Sequence, residues 1–140
     1  MPIVATEGYR LSQLVKWAAH RDVDFHNEKV VVNDAATTIA PFTVLGKVTA
    51  TGKYKVAKQA ASDGSQNAAA VFIGDQLFNV DNFTLTANTD TNLLAIVRGP
   101  SILADKALVW DASFTTQAQK DAAWSAGTLA SQLVLLSPQL

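Results

Sequence analysis

The chain contains no cysteine, so disulfide bonds, thiolate nucleophiles and zinc sites with sulfur ligands are all excluded. Charged residues are also scarce. They make up 16% of the 140 residues, whereas an average soluble domain has about 25%. One explanation is that part of the surface is covered by other copies of this chain or by a partner. The other is that uncharged polar residues (serine, threonine, asparagine and glutamine) face the solvent in place of charged ones. No apolar run approaches the roughly 20 residues of a membrane-spanning helix, so no membrane partner is expected.

Neither sign of charge predominates, because 11 basic residues stand against 12 acidic ones. Nucleic acid and anionic membranes both require a basic surface, so neither is expected as a partner. The one basic cluster, Lys53, Lys55 and Lys58, lies around a predicted hairpin and is typical of a solvated strand edge. MPIVATEGYRLSQLVKW lacks a basic leader followed by an apolar run, which predicts no secretory signal and an intracellular place of synthesis.

The segment HRDVDFH, residues 20–26, holds both histidines with two aspartates between them. On a strand these four side chains share one face, but a rise of about 3.3 Å per residue puts the outer two about 20 Å apart. Metal ions bind nitrogen and oxygen ligands at about 2.0–2.2 Å, so at most an adjacent pair could share one ion. On a helix the possible pairs face different directions. We therefore expect no metal site and interpret the segment as a polar strand edge or an interaction arm.

Catalytic motifs are missing as well. No serine lies in a G-x-S-x-G elbow, and no glycine-rich phosphate loop with its lysine occurs. A small hydrolase or metal enzyme that uses His20 or His26 stays open as an alternative, because only the fold could bring a distant serine to a histidine. The sequence predicts a protein that is not an enzyme and has no cofactor.

The hydrophobic pattern predicts a mainly β, α+β protein in two parts. Residues 1–36 comprise an arm and a first strand, the valine-rich EKVVVND. Residues 37–140 form the main domain, in which the alternation of TVLGKVTATGKYKVA predicts a hairpin that turns at Thr51 and Gly52. Further short strands are predicted in AAVFIGD, LLAIVRGP, ALVW and the closing LVLL.

One C-terminal helix is predicted from the capping-box spacing of Thr116 and Gln119. Trp124 lies off its apolar stripe, whereas Gly127 lies within it. Because glycine costs about 1 kcal/mol relative to alanine inside a helix, the helix is expected to end or soften at Gly127. Five residues at steps of four and three form the stripe: Ala118, Ala122, Ala126, Leu129 and Leu133.

The middle of the chain resembles a known family. TVLGKVTATGKYKVAKQAASDGSQNAAAVF is similar to the signature of the bacteriophage head decoration protein family, the group of the lambda capsid decoration protein D. AIVRGPSILADKALVW and TTQAQKDAA follow the pattern of the same family, so the resemblance covers residues 43–136. LVKW and NEKVVV echo it more loosely, whereas HRDVDFHNE and Gly127 depart from it.

The resemblance implies a small β-barrel, tulip-like decoration domain with one C-terminal helix and an extended N-terminal arm. It implies a homotrimer that binds the phage major capsid protein at three-fold and quasi-three-fold sites of the expanded head and stabilises the head against packaged DNA. Such a protein would be made in the host cytoplasm and lie on the outer surface of the virion. The alternative is a virion adhesion or carbohydrate-binding module, which would need exposed aromatics such as Tyr9 or Trp124.

The arm is the candidate site, because the resemblance implies that the N-terminal segment adds extended main chain to a capsid sheet. Trp17 on such an arm is typical of a partner surface, whereas Trp110 at a strand end is predicted to be core. The predicted capsid-binding residues are Pro2, Ile3, Val4, Tyr9, Leu11, Leu14 and Trp17.

Overall fold

A computed structural model of the chain describes residues 15–18, 27–75, 82–98, 101–129 and 133–136. These residues form β1 (Val15–Ala18), β2 (Asn27–Val32), β3 (Thr37–Ile39), β4 (Val44–Lys47), β5 (Tyr54–Val56), β6 (Ala70–Asp75), β7 (Phe83–Leu85), β8 (Thr91–Ile96), β9 (Ser101–Ala104), α1 (Gln117–Ala126) and β10 (Leu133–Leu136). The predicted mainly β fold with a single C-terminal helix is confirmed. Over these ranges, none of the helices has the length and hydropathy needed to cross a bilayer.

Five strands close into a barrel in the order β2–β5–β4–β6–β8. The predicted hairpin is present, since β4 and β5 pair in antiparallel fashion with Leu45 opposite Val56. β2 pairs along its whole length with β8, from Asn27 opposite Ile96 onward. The division of the chain at residues 36 and 37 stays a prediction, but β2 on the N-terminal side of it is a barrel strand. Two smaller sheets, β1–β9–β10 and β3–β7, complete the fold.

Alternate residues of β6 and β8 enter two different hydrophobic clusters. Phe72 and Leu93 belong to a cluster to which all five barrel strands contribute. Their neighbours Val71 and Leu94 belong to a second cluster that includes Trp124 of α1. Because both faces of these strands are covered, their sequences are continuous apolar runs and do not alternate with polar residues. The helix therefore packs against the outside of the barrel.

The capping box that the sequence predicts is formed. The Gln119 N–H donates to the Thr116 hydroxyl at 3.2 Å, and the Thr116 N–H donates to the Gln119 side-chain oxygen at 3.3 Å. The helix ends at Ala126, immediately before Gly127, as predicted from the glycine at that position.

The predicted helix face is wrong. The buried residues of α1 are Ala123 and Trp124, whereas Ala118, Ala122 and Ala126 are exposed. An indole ring removes far more apolar area from water than three methyl groups do, so Trp124 orients the helix toward the barrel. Leu129 is buried, but it lies beyond the end of the helix.

Gly127 is required by a close approach of two segments of main chain. A Cβ atom at this position would lie 1.8 Å from the carbonyl oxygen of Ala68, although φ is −86° and suits any residue. The Ala68 N–H donates to the Ala123 carbonyl oxygen at 3.0 Å, which fixes the helix end against the start of β6. Gly46 is in a similar position, since its Cβ would lie 1.9 Å from the Ser65 carbonyl oxygen.

The strand predicted in ALVW does not form. Asp105–Ala107 is a turn of 3-10 helix, and Val109 makes only an isolated parallel bridge with Thr43. Phe42 has a φ of 73°, a left-handed conformation that interrupts the extended chain just before β4 and limits the pairing to one bridge. Trp110, predicted to be core, is partly buried and packs edge-on against Phe114 with ring centroids 4.9 Å apart.

Gly127→Ala should lower the free energy of unfolding by about 1–3 kcal/mol, because the added methyl group would overpack the contact with Ala68. Chemical denaturation measures the loss. Ser125→Ala, an exposed change in the same helix, is the control and should alter stability by less than about 0.5 kcal/mol. Equal stability of Gly127→Ala and the unaltered protein would contradict the close approach.

Candidate functional site

Of the predicted capsid-binding residues, Trp17 alone lies among those that the structure describes. Its main chain belongs to β1, which runs antiparallel to β9 with Trp17 opposite Ile102. β1 is an edge strand of the sheet β1–β9–β10. A capsid contact of Trp17 stays a prediction. The other predicted residues lie outside the described ranges: Pro2, Ile3, Val4, Tyr9, Leu11 and Leu14.

The segment HRDVDFH, with both histidines, also lies outside the described residues. Among the residues that are described, no group of three or more histidine, aspartate or glutamate side chains could hold a metal ion. One buried serine has a carboxylate partner, since the Ser65 hydroxyl donates to Asp63 at 2.5 Å. The Ser65 N–H donates to the same oxygen at 3.0 Å, so this pair closes the turn of the ASDGSQ loop.

A polar groove of about 520 Å³ lies beside the β4–β5 hairpin and contains the predicted basic cluster. Lys53 Nζ is 2.9 Å from Asp90 Oδ1, and Lys55 Nζ is 3.7 Å from Asp63 Oδ2. These exposed ion pairs are screened by solvent and contribute little to stability. Two of the three lysines thus have a carboxylate partner within the chain and lie in solvent, as predicted. The predicted strand edge is wrong, because β5, which carries Lys55, pairs with both β2 and β4 in the closed barrel.

Hydrogen bonds lower the pKa values of both carboxyls. For Asp90 the principal cause is the hydrogen bond from the Asn33 side chain, at 2.7 Å, followed by that from Lys53. For Asp63 the principal cause is the hydrogen bond from the Ser65 hydroxyl, followed by that from the Ser65 main chain. Each carboxylate is therefore bound more firmly when ionised than when protonated.

Asp34 connects three segments at the edge of this groove. It is 8% exposed, and its carboxylate accepts the N–H groups of Ala35 at 2.7 Å and Val56 at 3.1 Å. Its carbonyl oxygen accepts the N–H of Asn88 at 3.0 Å. Asp34 thus bonds the end of β2 to strand β5 and to the turn before β8.

Two other grooves are almost without charged residues. The first, which we call the alanine groove, has a volume of about 460 Å³ and lies between α1 and residues 59–67. The second has about 250 Å³ and runs between β3 and residues 109–112, with Asp111 as its one charged residue. The alanine groove is lined by Gln59, Gln66, Asn67, Phe114, Ala118, Gln119, Ala122, Ala123 and Ala126.

Sequence reasoning missed the alanine groove because it assigned the alanine stripe to a packed face. An apolar stripe made of alanines buries little area, and the large side chain beside it was the stronger signal. The same finding bears on the carbohydrate-binding alternative. Trp124 is 7% exposed and packs in the core, so its ring is not accessible to a sugar, and Tyr9 lies outside the described residues.

Asp34→Ala should lower the free energy of unfolding by about 1–3 kcal/mol, since it leaves the buried N–H of Val56 without its acceptor. Thermal or chemical unfolding measures the change. Asp121→Ala removes an exposed aspartate from α1 and should stay within about 0.5 kcal/mol of the unaltered protein. If Asp34→Ala and Asp121→Ala lowered the free energy of unfolding equally, the hydrogen bonds of Asp34 would not stabilise the barrel.

Acid should weaken the fold through Asp63 and Asp90. Because both pKa values are lowered from 3.8 on folding, their stabilisation is complete above about pH 5 and is lost as pH falls through the folded-state values. The melting temperature, recorded from pH 7 downward, should therefore fall below pH 4. The melting temperature of the double variant Asp63→Asn, Asp90→Asn should fall less on acidification than that of the unaltered protein. If the two proteins lost stability equally between pH 7 and low pH, Asp63 and Asp90 would not be the groups responsible.

The family model for bacteriophage lambda head decoration protein D matches residues 4–132. The match takes in the whole barrel and α1, and it begins well before the region in which the sequence resemblance is clearest. It also includes the HRDVDFH segment. Comparison with curated proteins gives no significant match. The match of the family model over residues 4–132 confirms the family that the sequence resemblance suggested.

Proposed function

The chain belongs to the bacteriophage lambda head decoration protein D family, and on that premise we propose that it binds the expanded phage head as a homotrimer and cements neighbouring major capsid subunits. The family makes it a structural phage capsid decoration protein of the virion. Its sites on the head would be the three-fold and quasi-three-fold positions. It would be made in the host cytoplasm and added to the outer surface of the capsid.

The family match over residues 4–132 carries this proposal. Two features of the molecule support it. The chain has 16% charged residues, which suits a protein whose surface is partly covered by other subunits. Two grooves at the surface are nearly without charge, as expected where protein chains meet.

The proposed mechanism is thermodynamic linkage. A protein that binds only the expanded shell stabilises that shell by mass action, by about 2.7 kcal/mol per site at a free concentration of 100 times Kd. Three chains held in one trimer bind together, so the second and third contacts form at a high effective concentration.

The proposed capsid contact is the arm, residues 2–14. These residues precede β1, an edge strand, so an extended arm could pass from this sheet onto a capsid strand. Main-chain hydrogen bonds would supply affinity, and alternate side chains such as Ile3 and Leu11 would set the register. Trp17 would contact the capsid or a neighbouring protomer beside β1.

Deleting residues 2–14 should abolish co-sedimentation with expanded heads that lack their decoration protein, because the arm would be lost while β1 is kept. Circular dichroism and the melting temperature should stay those of the folded barrel. Trp17→Ala in the full chain separately tests the predicted contact of that residue. Binding of the deletion variant at the affinity of the full chain would exclude the arm as the capsid contact.

A further inference from the structure

The turn of the ASDGSQ loop, residues 61–66, needs a glycine at its centre. Gly64 has a φ of 101°, a left-handed conformation that favours glycine, and a Cβ atom there would lie 2.3 Å from the Thr49 hydroxyl oxygen. The residue before it, Asp63, closes the turn through its hydrogen bonds with Ser65. The fold thus places the only Asp–Gly pair of the sequence at this turn.

An aspartate that is followed by glycine is chemically labile. The glycine amide nitrogen can attack the side-chain carbon Cγ of the aspartic acid, because glycine has no side chain that shields this nitrogen. An N–Cγ bond forms, and the hydroxyl group of the acid leaves as water together with the amide proton. Water then adds to the main-chain carbonyl of the resulting succinimide ring and breaks its bond to nitrogen. The product is isoaspartate, which has the same mass and carries the main chain through Cγ.

The carboxyl group that would be attacked is held in its unreactive form. Asp63 Oδ1 accepts the Ser65 hydroxyl at 2.5 Å and the Ser65 N–H at 3.0 Å. Both bonds lower the pKa of Asp63, the hydroxyl more than the N–H, because they favour the ionised carboxylate. The ionised form resists the attack, since only the neutral acid can release its oxygen as water.

The peptide group that would attack is held at both ends. The Gly64 N–H donates to the Gln66 side-chain oxygen at 2.9 Å, and the Asp63 carbonyl oxygen accepts the Thr49 N–H at 2.9 Å. The attack takes the nitrogen lone pair out of the resonance that keeps the peptide group planar. Hydrogen bonds at the N–H and at the carbonyl oppose this change, because both are aligned with the planar group.

The loop also has no room for the product. Isoaspartate lengthens the main chain by one C–C bond, about 1.5 Å. Ser65 is 1% exposed, and its carbonyl oxygen lies so close to Gly46 of β4 that a Cβ atom at Gly46 would be 1.9 Å from it. A longer chain at Asp63 would press Ser65 against this strand and overpack the contact. The folded loop therefore disfavours both the reaction and its product.

We propose that Asp63 is a site of spontaneous isomerisation to isoaspartate, and that Ser65 and Gln66 protect it in the folded protein. The reaction needs no enzyme and no partner, so the inference does not depend on capsid binding. Because the protecting bonds lie within residues 63–66, opening of this loop alone would expose the Asp–Gly pair while the barrel stays folded.

Ageing the protein at neutral pH and mapping its peptides by liquid chromatography and mass spectrometry measures isoaspartate at residue 63. The folded protein should form isoaspartate more than about tenfold more slowly than the same chain unfolded in guanidinium chloride. Ser65→Ala and Gln66→Ala should each accelerate the reaction in the folded protein by roughly two- to tenfold, because each variant removes one of the protecting hydrogen bonds.

Asp34→Ala is the matched control, because it weakens the barrel but keeps Ser65 and Gln66. Its rate of isomerisation should equal that of the unaltered protein, and circular dichroism should show that all three variants are folded. Equal rates in the folded and the unfolded protein would overturn the proposal, and so would unchanged rates in Ser65→Ala and Gln66→Ala. If Asp34→Ala were as fast as the loop variants, the reaction would follow global unfolding and the two residues would not protect the site.

Discussion

The closure of the barrel depends on its shortest strand pairing. β2 and β5 share a single registered pair, Val32 opposite Tyr54. One pair of a parallel ladder provides little stability, so the seam depends on the two residues that follow β2. The Asn33 N–H donates to the Tyr54 carbonyl at 2.9 Å, and the Asp34 carboxylate accepts the Val56 N–H. The hairpin, the polar groove beside it and the cluster inside the barrel keep their positions because these bonds hold the seam.

The features of the fold that could be predicted are those that depend on residues close together in the sequence. The β4–β5 hairpin follows from alternation around a glycine turn, and the helix start follows from the spacing of Thr116 and Gln119, because in both cases the interacting residues are near in sequence. The burial of Trp124 and the loss of the strand in ALVW could not be predicted. Both depend on packing against distant segments, and the left-handed Phe42 is held by such contacts.

In the candidate site, too, some features could be predicted from the sequence and others could not. That Lys53 and Lys55 lie in solvent was predictable from their place beside a turn, but their partners were not, because Asp90 reaches Lys53 and Asn33 only through the fold. The arm was predicted from the resemblance to the family and not from spacing. The exposed alanines were visible in the sequence, yet their regular spacing was mistaken for a buried face because it matched a helical period.

The positions of the barrel strands in the chain determine the order in which they are synthesised. β2 is among the first strands to be synthesised, and its antiparallel partner β8 is among the last of the barrel strands. Contacts between segments so far apart form slowly, because a long loop must be ordered first. A valine-rich strand will therefore leave the ribosome well before its partner exists. During that interval the strand is exposed, and exposed unpaired strands are prone to pair with other chains.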